Sequence, residues 1–345
     1  MQHEIYMRRC LQLAANGFGN VAPNPMVGCV IVYEGKIIGE GYHQIFGGPH
    51  AEVNAIASVK DKNILNHAVL YVNLEPCNHF GKTPPCTDLI IQHKIKRVVI
   101  GCLDPFKEVC GAGIEKLKMS GVEVIVGILE EKCKELNKRF FTQHLKNRPY
   151  IILKWAQTLD GFIDRDRRGK ELKDHWISNK TATQLVHKWR SEEQAILVGT
   201  NTVFNDNPLL TTREWPGKSP LRIIIDKENK LPYSLRVFNS EASTIILNEH
   251  TNNKKENVEF VAIDFKNFFS SFASEMLKRA IQSVIVEGGK NTLSKFLANY
   301  YWDEARVIIG NKTFGKGLSA PIIENEPISK EAILDNILLI YKNKS

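Results

Sequence analysis

The sequence lacks any apolar run that approaches the roughly 20 residues of a membrane-spanning helix, and its start, MQHEIYMRRCLQLAANG, lacks the basic, apolar and cleavage regions of a signal peptide. It also lacks a basic tract and an arginine-rich arm, because the excess of 46 lysines and arginines over 38 acidic residues, a net charge of +8, is spread thinly. Such a balance is compatible with nucleic acid but equally with phosphorylated small molecules. We therefore expect a mildly basic cytoplasmic enzyme that binds neither nucleic acid nor membranes.

Two further absences divide the chain into halves, since no cysteine follows residue 133 and no tryptophan precedes residue 155. Together with a length of 345 residues, at roughly 150 residues per domain, this difference predicts two domains. Proline cannot continue the helical pattern that ends at Asn147-Arg148-Pro149, so the predicted domains are 1–147 and 148–345. An odd number of cysteines, seven, in a chain without an export signal favours reduced thiols, some of them metal ligands.

Hydrophobic patterns in both halves alternate between strands and helices, which predicts α/β domains whose sheets are covered by helices. In the first half the patterns predict helices over 3–16, 51–59, 86–94 and 130–146, a hairpin over 27–33 and 37–42, and buried strands over 68–74 and 97–102. In the second half they predict helices over 179–191, 272–281 and 291–299, and strands over 150–156, 194–199, 221–226, 244–248, 258–263, 283–288, 304–310 and 337–342. Residues 249–258 are polar and predict a surface loop.

The most specific motif is HAE at 50–52, followed by PC at 76–77 and a second cysteine, Cys86. Zinc prefers thiolate and imidazole ligands, and a catalytic zinc site uses three protein ligands and keeps a fourth position for water. We therefore predict His50, Cys77 and Cys86 as zinc ligands, and Glu52 as the acid–base residue that moves the proton of a water whose pKa zinc lowers to about 7. This order of residues is typical of zinc-dependent nucleobase deaminases.

Two simpler interpretations of these residues remain open. His50 could cap a helix while Cys77 and Cys86 are buried core thiols, or the three residues could belong to a structural zinc site, although such a site normally has four protein ligands. The other five cysteines lie mostly in apolar patterns and are interpreted as core residues: Cys10, Cys29, Cys102, Cys110 and Cys133.

Eight residues, NHFGKTPP, separate the two cysteines of the motif. We expect a loop of this length beside the metal to help form the substrate pocket, where Lys82 and Thr83 could contact a phosphate or a ring substituent. With HAEVNA, LEPCNHFGKTPPC, the upstream PNPMVGCVIV and the downstream GAGIEKL, the first half resembles the deaminase half of the bifunctional riboflavin-biosynthesis deaminase-reductases. The resemblance implies a cytidine-deaminase-like α/β/α fold. It also implies substrate contacts from Asn24, His43, Lys82 and Asp104, while Phe106 stands where that family often has asparagine.

The second half contains VEGG followed by KNTLSKFLA, which predicts a strand, a glycine pair and the start of a helix. Gly288 and Gly289 would allow the backbone to approach a phosphate closely, and the free N–H groups at a helix start can bind it. An ordinary connection between a strand and a helix explains the same pattern. No G-x-G-x-x-G follows a strand, so a Rossmann domain is not supported.

The stretches LKWAQTLDGFI, WISN, WRSEEQAILVGTNTVFNDNPLLTTR and IVEGGKNTL resemble the reductase half of the same family, whose fold is similar to that of dihydrofolate reductase. The resemblance implies contacts with NADPH from Gln157, Trp176, Thr202, Asp206, Lys227, Gly289, Lys290, Asn291, Thr292, Leu293, Ser294 and Lys295. It implies substrate contacts from Lys154, Arg190, Leu210, Arg213 and Glu287, while Asp174 stands where the family usually has serine. Because guanidinium groups bind phosphate oxygens in pairs, Arg190 and Arg213 are expected to hold the substrate phosphate. The alternatives are a solvated helix face for Arg190 and a loop charge for Arg213.

The leading hypothesis is therefore a bifunctional enzyme of riboflavin biosynthesis with zinc and NADPH as cofactors. The first half would hydrolyse the ring amine of 2,5-diamino-6-(5-phosphoribosylamino)pyrimidin-4(3H)-one. The second would reduce the ribosyl side chain to give 5-amino-6-(5-phosphoribitylamino)uracil, with Lys154 and Glu287 as polar partners of the reacting carbon. The alternatives are an RNA- or nucleoside-directed zinc deaminase with a fused accessory domain, and a nucleotide-sensing protein without catalysis. From the resemblance we also expect a homo-oligomer, a dimer or larger.

Overall fold

The computed structural model describes residues 2–78, 84–106, 110–165 and 176–344. The chain divides into two compact units, Met1–Arg148 and Pro149–Ser345. The last helix before the division ends at Lys146, and Asn147 takes a left-handed backbone conformation with a φ of 51°. The helical path therefore ends just before Pro149, which cannot continue it. In the part of the chain that the structure describes, every helix is too short or too polar to cross a membrane.

The first unit contains a five-stranded sheet in the order β2-β1-β3-β4-β5. Its strands are β1 (Gly28–Tyr33), β2 (Lys36–Tyr42), β3 (Val69–Leu74), β4 (Arg97–Cys102) and β5 (Glu123–Val126). Its helices are α1 (Gln2–Ala15), α2 (Ala51–Ser58), α3 (Cys86–Gln92), α4 (Ala112–Met119), α5 (Glu130–Leu136) and α6 (Lys138–Lys146). β1 runs antiparallel to β2 and β3, whereas β3, β4 and β5 are parallel. The start of β1 and the ends of β2, β3 and β4 consequently lie at one edge of the sheet.

Apolar cores cover both faces of this sheet, because successive strand residues point to opposite sides. On one face Ile31, Leu70 and Ile100 pack with side chains of α2, α3 and α4. On the other face Val30 and Val99 pack with side chains of α1, α5 and α6. The predicted α/β/α arrangement of the first half is therefore confirmed.

The cysteines outside the motif are buried with one exception. Cys10, Cys29, Cys102 and Cys133 are buried, as expected for core thiols, whereas Cys110 is exposed. The interpretation of Cys110 as a core residue was wrong because it lies in the loop before α4, next to Gly111 in the N-cap position, and no periodic apolar element includes it.

The predicted helix over 130–146 is wrong in its continuity, because the structure contains two helices, α5 and α6, interrupted at Asn137. The buried Asn137 side chain accepts a hydrogen bond from the Met26 N–H at 2.8 Å and donates one to the Met26 carbonyl at 2.9 Å. Both bonds join residues more than a hundred positions apart in the chain. Helical periodicity carries no information about such a partner.

The second unit contains a ten-stranded sheet in the order β11-β12-β10-β9-β8-β13-β6-β14-β17-β16 and a two-stranded sheet of β7 and β15. Its strands are β6 (Tyr150–Thr158), β7 (Phe162–Asp164), β8 (Ala195–Gly199), β9 (Leu221–Ile225), β10 (Thr244–Asn248), β11 (Asn253–Lys255), β12 (Val258–Ala262), β13 (Ser283–Val286), β14 (Glu304–Gly310), β15 (Leu318–Ser319), β16 (Ser329–Ile333) and β17 (Asn336–Lys342). Its helices are α7 (Lys180–Glu192), α8 (Thr200–Asp206), α9 (Phe268–Lys278) and α10 (Lys290–Ala298). The predicted α/β fold of the second half is confirmed.

The neighbouring strands from β12 to β14 in this order are all parallel. The chain runs outward from β6 to β8, β9, β10 and β12, and then returns to place β13 between β8 and β6. In open parallel sheets ligands bind at the carboxyl ends of the strands, where the strand order reverses. The carboxyl ends of β6, β8 and β13 are therefore where a ligand site is expected.

Several elements of this unit were not predicted: β7, β15, β16, the helix α8 and the strand β11. The short helix α8 follows β8 directly, and β11 lies inside the segment that was predicted to be a polar loop. All three residues of β11 are exposed, and the strand is held by antiparallel backbone pairing with β12. An exposed edge strand needs no apolar alternation, so its sequence gave no periodic signal.

Candidate active sites

The residues predicted for the deaminase site lie at the sheet edge where the ends of β1 to β4 meet. Asn24 precedes β1, His43 follows β2, Cys77 follows β3 and Asp104 follows β4. Two helices start at the same residues that the motif singles out, since His50 is the N-cap of α2 and Cys86 is the first residue of α3. The sheet topology thus brings together residues that are far apart in the sequence.

His50, Cys77 and Cys86 form a compact group of potential metal ligands. His50 Nδ1 lies 3.5 Å from Cys77 Sγ and 3.3 Å from Cys86 Sγ, and the three atoms all lie within 4.8 Å of one another. The His50 side chain makes no capping hydrogen bond to α2, which argues against the helix-cap interpretation. One imidazole and two thiols are ligands that zinc prefers, and three protein ligands leave a fourth tetrahedral position for water. The donor set therefore fits a catalytic zinc ion.

One thiol of this group is already stabilised as a thiolate. The hydrogen bond from the Cys86 thiol, supported by His50 and by the Cys86 N–H at 3.3 Å, lowers the pKa of Cys77 to about 4 although burial opposes this shift. The same thiol–thiolate hydrogen bond and burial raise the pKa of Cys86. Burial also raises the pKa values of Cys10 and Cys29 well above the usual range. Of these four cysteines, only Cys77 has a lowered pKa.

Glu52 is the second residue of α2 and is only 3% exposed. Burial, with a smaller contribution from the Cys77 sulfur, raises the pKa of this carboxyl group to about 7. Its two-residue offset from His50 places it beside the ligand group, where it interacts with the Cys86 thiol. A buried carboxyl group that exchanges a proton near neutral pH suits general acid–base catalysis.

His43 and Asn24 are joined beside the metal-ligand group. The Pro49 carbonyl lies 3.0 Å from His43 Nδ1, so this nitrogen carries the proton and Nε2 accepts from the Asn24 amide at 3.1 Å. Burial lowers the pKa of His43, which keeps the ring neutral. The ring stands edge-on to that of His50, with 5.6 Å between centroids. The structure thus brings both predicted substrate contacts next to a predicted ligand.

Asp104 belongs to a loop that is held by a residue that was not predicted as functional. Its backbone N–H donates to the carboxylate of the buried Glu75, at 3.3 Å, and its own Oδ1 accepts from the Phe106 N–H at 2.9 Å. Glu75 directly precedes Pro76 in the LEPC motif. The signal that could have identified Glu75 was a carboxylate two residues before the predicted ligand Cys77, at the end of a buried strand.

The other two residues singled out for this site are the predicted substrate residue Lys82 and Phe106, the departure from the family pattern. Lys82, together with Thr83, lies outside the described residues. Phe106 packs edge-on against His144 of α6, with 5.4 Å between ring centroids. The aromatic ring therefore anchors its loop to α6, where the family often has a polar side chain.

In the second unit Lys154, Arg190 and Glu287 form one largely buried ionic cluster. Arg190 donates through Nε and Nη2 to the two carboxylate oxygens of Glu287 at 3.0 and 2.7 Å, and Lys154 Nζ lies 3.6 Å from Oε2. Burial alone would raise the pKa of Glu287, but the two cations lower it to about 2. Burial, reinforced by Arg190, lowers the pKa of Lys154. These partners contradict the interpretation of Arg190 as part of a solvated helix face.

Arg213 lies near this cluster because both arginines contact Thr211. Arg190 Nη1 donates to the Thr211 carbonyl at 3.3 Å, and Arg213 Nη1 donates to Thr211 Oγ1 at 3.0 Å. The Arg213 N–H donates to Nδ1 of the buried His187 at 3.0 Å. Leu210 is buried and has a φ of 56°. All five predicted substrate residues of this half are therefore connected or adjacent.

The starts of α8 and α10 meet at the carboxyl ends of β8 and β13. A Cβ at Gly289, whose φ is 48°, would lie 3.0 Å from Thr202 Oγ1, and a Cβ at Gly199 would lie 2.7 Å from Thr292 Oγ1. The positive φ at Gly289 favours glycine, and a Cβ at Gly199 would force the Thr292 hydroxyl to move. Because the first N–H groups of a helix have no intrahelical acceptor, the paired helix starts suit an anionic group such as the phosphates of NADPH.

The predicted cofactor residues are distributed around this point. The first turns of α10 contain Lys290, Asn291, Thr292, Leu293, Ser294 and Lys295, and α8 contains Thr202 and the exposed Asp206. The Leu293 side chain is buried in the core, so only its backbone can face a ligand. Gln157 accepts from Trp155 Nε1 at 2.8 Å near the end of β6.

Two predicted cofactor residues lie outside α8 and α10. Lys227 follows β9 and pairs with Glu249 at 3.2 Å. Trp176 is 60% exposed. Asp174, the departure from the family pattern, lies outside the described residues.

Comparison with known proteins gives a match in each half. Residues 1–102 match the family model of the cytidine and deoxycytidylate deaminase zinc-binding region, and residues 149–342 match that of the RibD C-terminal domain. The riboflavin biosynthesis protein RibD of Aquifex aeolicus is 45% identical over 320 residues, which are 91% of this chain and 88% of that protein. RibD of Escherichia coli is 35% identical over 334 residues, 91% of this chain and 89% of that protein.

Solved structures agree with these matches over the whole chain. A diaminohydroxyphosphoribosylaminopyrimidine deaminase/5-amino-6-(5-phosphoribosylamino)uracil reductase from Thermotoga maritima superposes with a TM-score of 0.89 at 40% identity and covers 99% of each chain. RibD of Acinetobacter baumannii superposes with a TM-score of 0.90 at 28% identity, covering 100% of this chain and 99% of that one.

These matches confirm the prediction of a bifunctional enzyme with a zinc-dependent deaminase and an NADPH-dependent reductase. They do not favour an RNA- or nucleoside-directed deaminase with an accessory domain, because the second half matches a reductase domain of its own. The chain belongs to the RibD family of riboflavin biosynthesis proteins.

Proposed function

We propose that the first unit hydrolyses the ring amine of 2,5-diamino-6-(5-phosphoribosylamino)pyrimidin-4(3H)-one and that the second unit reduces the ribosyl group of the product with NADPH. The observation that carries this proposal is the presence of two separate reactive clusters in one chain. One contains the ligand set His50, Cys77 and Cys86 beside the buried Glu52. The other contains the buried ion pairs of Glu287 with Lys154 and Arg190.

In the deaminase site His50 Nδ1, Cys77 Sγ and Cys86 Sγ would hold zinc. When bound, zinc supplies a water of lowered pKa. Glu52 would accept a proton at its carboxylate and deliver it to the departing ring nitrogen, a role that suits a carboxyl group with a pKa of about 7. The neutral His43 and the Asn24 bound to it would orient the pyrimidine, and Asp104 would contact the substrate from the neighbouring strand end.

In the reductase site the paired helix starts with Gly289 and Thr202 would hold NADPH, which supplies hydride when bound. Lys154 would donate a hydrogen bond or a proton to the ribosyl group, because its ammonium is kept beside Glu287 at 3.6 Å. The Nε–Nη2 edge of Arg190 is occupied by Glu287. Arg213 is therefore the better candidate for the bidentate contact with the substrate phosphate, with Arg190 orienting Glu287.

The direct test is incubation of the full-length protein, loaded with zinc, with the diaminopyrimidine and then with NADPH. We expect ammonia release in the first step and NADPH oxidation in the second. Deamination of RNA or free nucleosides without NADPH oxidation would support the alternative deaminase instead. Binding of the nucleotide without either reaction would support a sensing protein.

We further propose the boundaries 1–147 and 148–345 for the two functional domains, a homo-oligomeric assembly, and the cytoplasm as the working compartment. The division of the structure near Pro149 supports the boundaries. Seven free cysteines support a reducing compartment. The homo-oligomeric assembly is inferred from the family resemblance. Expression of residues 1–147 alone, tested for zinc binding and deamination, and light scattering of the full chain would test the first two proposals.

A further inference from the structure

The carboxylate of Glu75 binds three backbone N–H groups of a single segment. Oε2 accepts from the Asp104 N–H at 3.3 Å and from the Gly111 N–H at 3.0 Å, and Oε1 accepts from the Gly113 N–H at 3.0 Å. Glu75 is only 4% exposed. A buried carboxylate needs such donors, and hydrogen bonds to a charged acceptor are stronger than those between neutral groups.

Glu75 belongs to the turn that supplies a metal ligand. It directly precedes Pro76-Cys77, and its own N–H donates to the Cys102 carbonyl at the end of β4, at 3.0 Å. Its side chain therefore connects the ligand-bearing end of β3 to the loop after β4 that contains Asp104.

Two further contacts hold the same loop against the same turn. A Cβ at Gly113 would lie 2.4 Å from the Pro76 carbonyl oxygen, so the start of α4 touches the turn directly and only glycine fits. Asn78 Nδ2 donates to the Ala112 carbonyl at 3.4 Å. Asp104 and the start of α4 are thus both held against the turn.

We propose that Glu75 is a positioning residue of the deaminase, which fixes the distance and orientation of Asp104 relative to the metal-bound part of the site. The proposal rests on the function proposed above, in which Asp104 contacts the substrate. A role limited to capping α4 would need only the bonds to Gly111 and Gly113, which lie at the start of that helix. The bond to Asp104 reaches a different element and distinguishes the two roles.

The test compares full-length Glu75→Gln with the wild type. The amide keeps one acceptor oxygen but turns an NH2 group toward backbone donors, so at least one hydrogen bond is lost. We expect KM for the diaminopyrimidine to rise by about 10-fold, with unchanged zinc content and unchanged reductase rate. We also expect faster amide hydrogen exchange in peptides that cover 103–113. Glu123→Gln, at an exposed carboxylate of β5 that pairs with Arg97, is the control for loss of a charge.

A double-mutant cycle with Asp104→Ala separates positioning from capping. If Glu75 acts through Asp104, Glu75→Gln has little further effect on KM once Asp104 is replaced. A full additional effect in the Asp104→Ala background would overturn the proposal, as would a loss of zinc or of kcat without a change in KM.

A second variant covers the case in which Glu75→Gln does not fold. Gly113→Ala keeps the carboxylate but forces the start of α4 away from the Pro76 carbonyl, and we expect the same rise in KM and the same non-additivity with Asp104→Ala. If the wild type released no ammonia, the proposed function would fail. The exchange measurement would still test the inference without the reaction, since unchanged protection of the Asp104 N–H in Glu75→Gln would overturn it.

Discussion

Arg190 donates two parallel hydrogen bonds to Glu287, from Nε to Oε1 at 3.0 Å and from Nη2 to Oε2 at 2.7 Å. Lys154 lies 3.6 Å from the same carboxylate, and none of the three side chains is more than 14% exposed. Two cations therefore share one anion in a largely buried site. The remaining positive charge suits a substrate that carries phosphate.

Replacement of Glu287 by glutamine should leave two buried cations without their anion. Breaking such a group costs about 3–5 kcal/mol, so we expect reduced stability of the second unit and a loss of reductase activity of at least ~100-fold, with unchanged deamination. Urea unfolding followed by tryptophan fluorescence reports this unit alone, because all five tryptophans lie beyond residue 150.

The matched control for this variant is Glu228→Gln. Glu228 is 55% exposed and pairs with Lys230 at 2.7 Å on the surface, where an ion pair contributes only about 0–1 kcal/mol. Equal losses of stability in the two variants would contradict the role assigned to the buried cluster.

Glu52→Gln should separate proton transfer from metal binding. The amide has nearly the size of the carboxylate but cannot accept a proton, so we expect intact zinc content and a fall in deaminase rate of at least ~100-fold. Reduction of the deaminated intermediate should keep its rate. Glu123→Gln again provides the control, and a sharp fall in zinc content would instead make Glu52 a ligand or a structural residue.

Cys86→Ser should remove zinc, because a hydroxyl group is a poor substitute for a thiolate ligand. Metal analysis of the purified protein would show the loss, together with loss of ammonia release. Cys110→Ser is the matched control, since Cys110 is exposed and lies outside the ligand group. Retention of zinc in Cys86→Ser would contradict the three-ligand assignment.

The sequence predicted the ligand set and the buried strands because short motifs and apolar periodicity encode them locally. It did not predict the break at Asn137 or the role of Glu75, because both depend on hydrogen bonds to distant backbone groups. The sequence also predicted that Arg190 binds the substrate phosphate, because guanidinium groups bind phosphate oxygens. The bidentate pair with Glu287 became visible only once α7 and the end of β13 were placed side by side.

His187 should make the second unit less stable in mild acid. Burial, with the charges of Arg190 and Arg213, lowers the pKa of His187 to about 4, whereas an unfolded histidine titrates near ~6.5. Between these values the unfolded chain binds a proton that the folded chain does not. Stability is therefore fully present above about pH 6.5 and decreases as the pH falls toward about 4, by at most about 3 kcal/mol.

Urea unfolding by tryptophan fluorescence at about pH 7.5 and about pH 5 would measure this difference. In the wild type the Arg213 N–H donates to His187 Nδ1 at 3.0 Å. His187→Asn keeps an acceptor for this N–H, but the asparagine side chain does not titrate. The variant should show a smaller pH dependence than the wild type. An identical dependence would mean that other groups cause the acid sensitivity.

Arg213 should serve the substrate and not the cofactor. Its described hydrogen bonds place Nη1 on Thr211, beside a cluster in which Arg190 is already committed to Glu287. Since a charge-assisted bidentate contact contributes roughly 1.5–3 kcal/mol, Arg213→Ala should raise KM for the phosphoribosyl substrate by about 10- to 150-fold. KM for NADPH should change little, and Arg213→Lys should restore little because an ammonium lacks the planar fork. Steady-state kinetics with each substrate varied in turn would decide the matter. A rise in KM for NADPH would instead assign Arg213 to the cofactor site. Unchanged KM values for both substrates would make Arg213 a solvated loop charge.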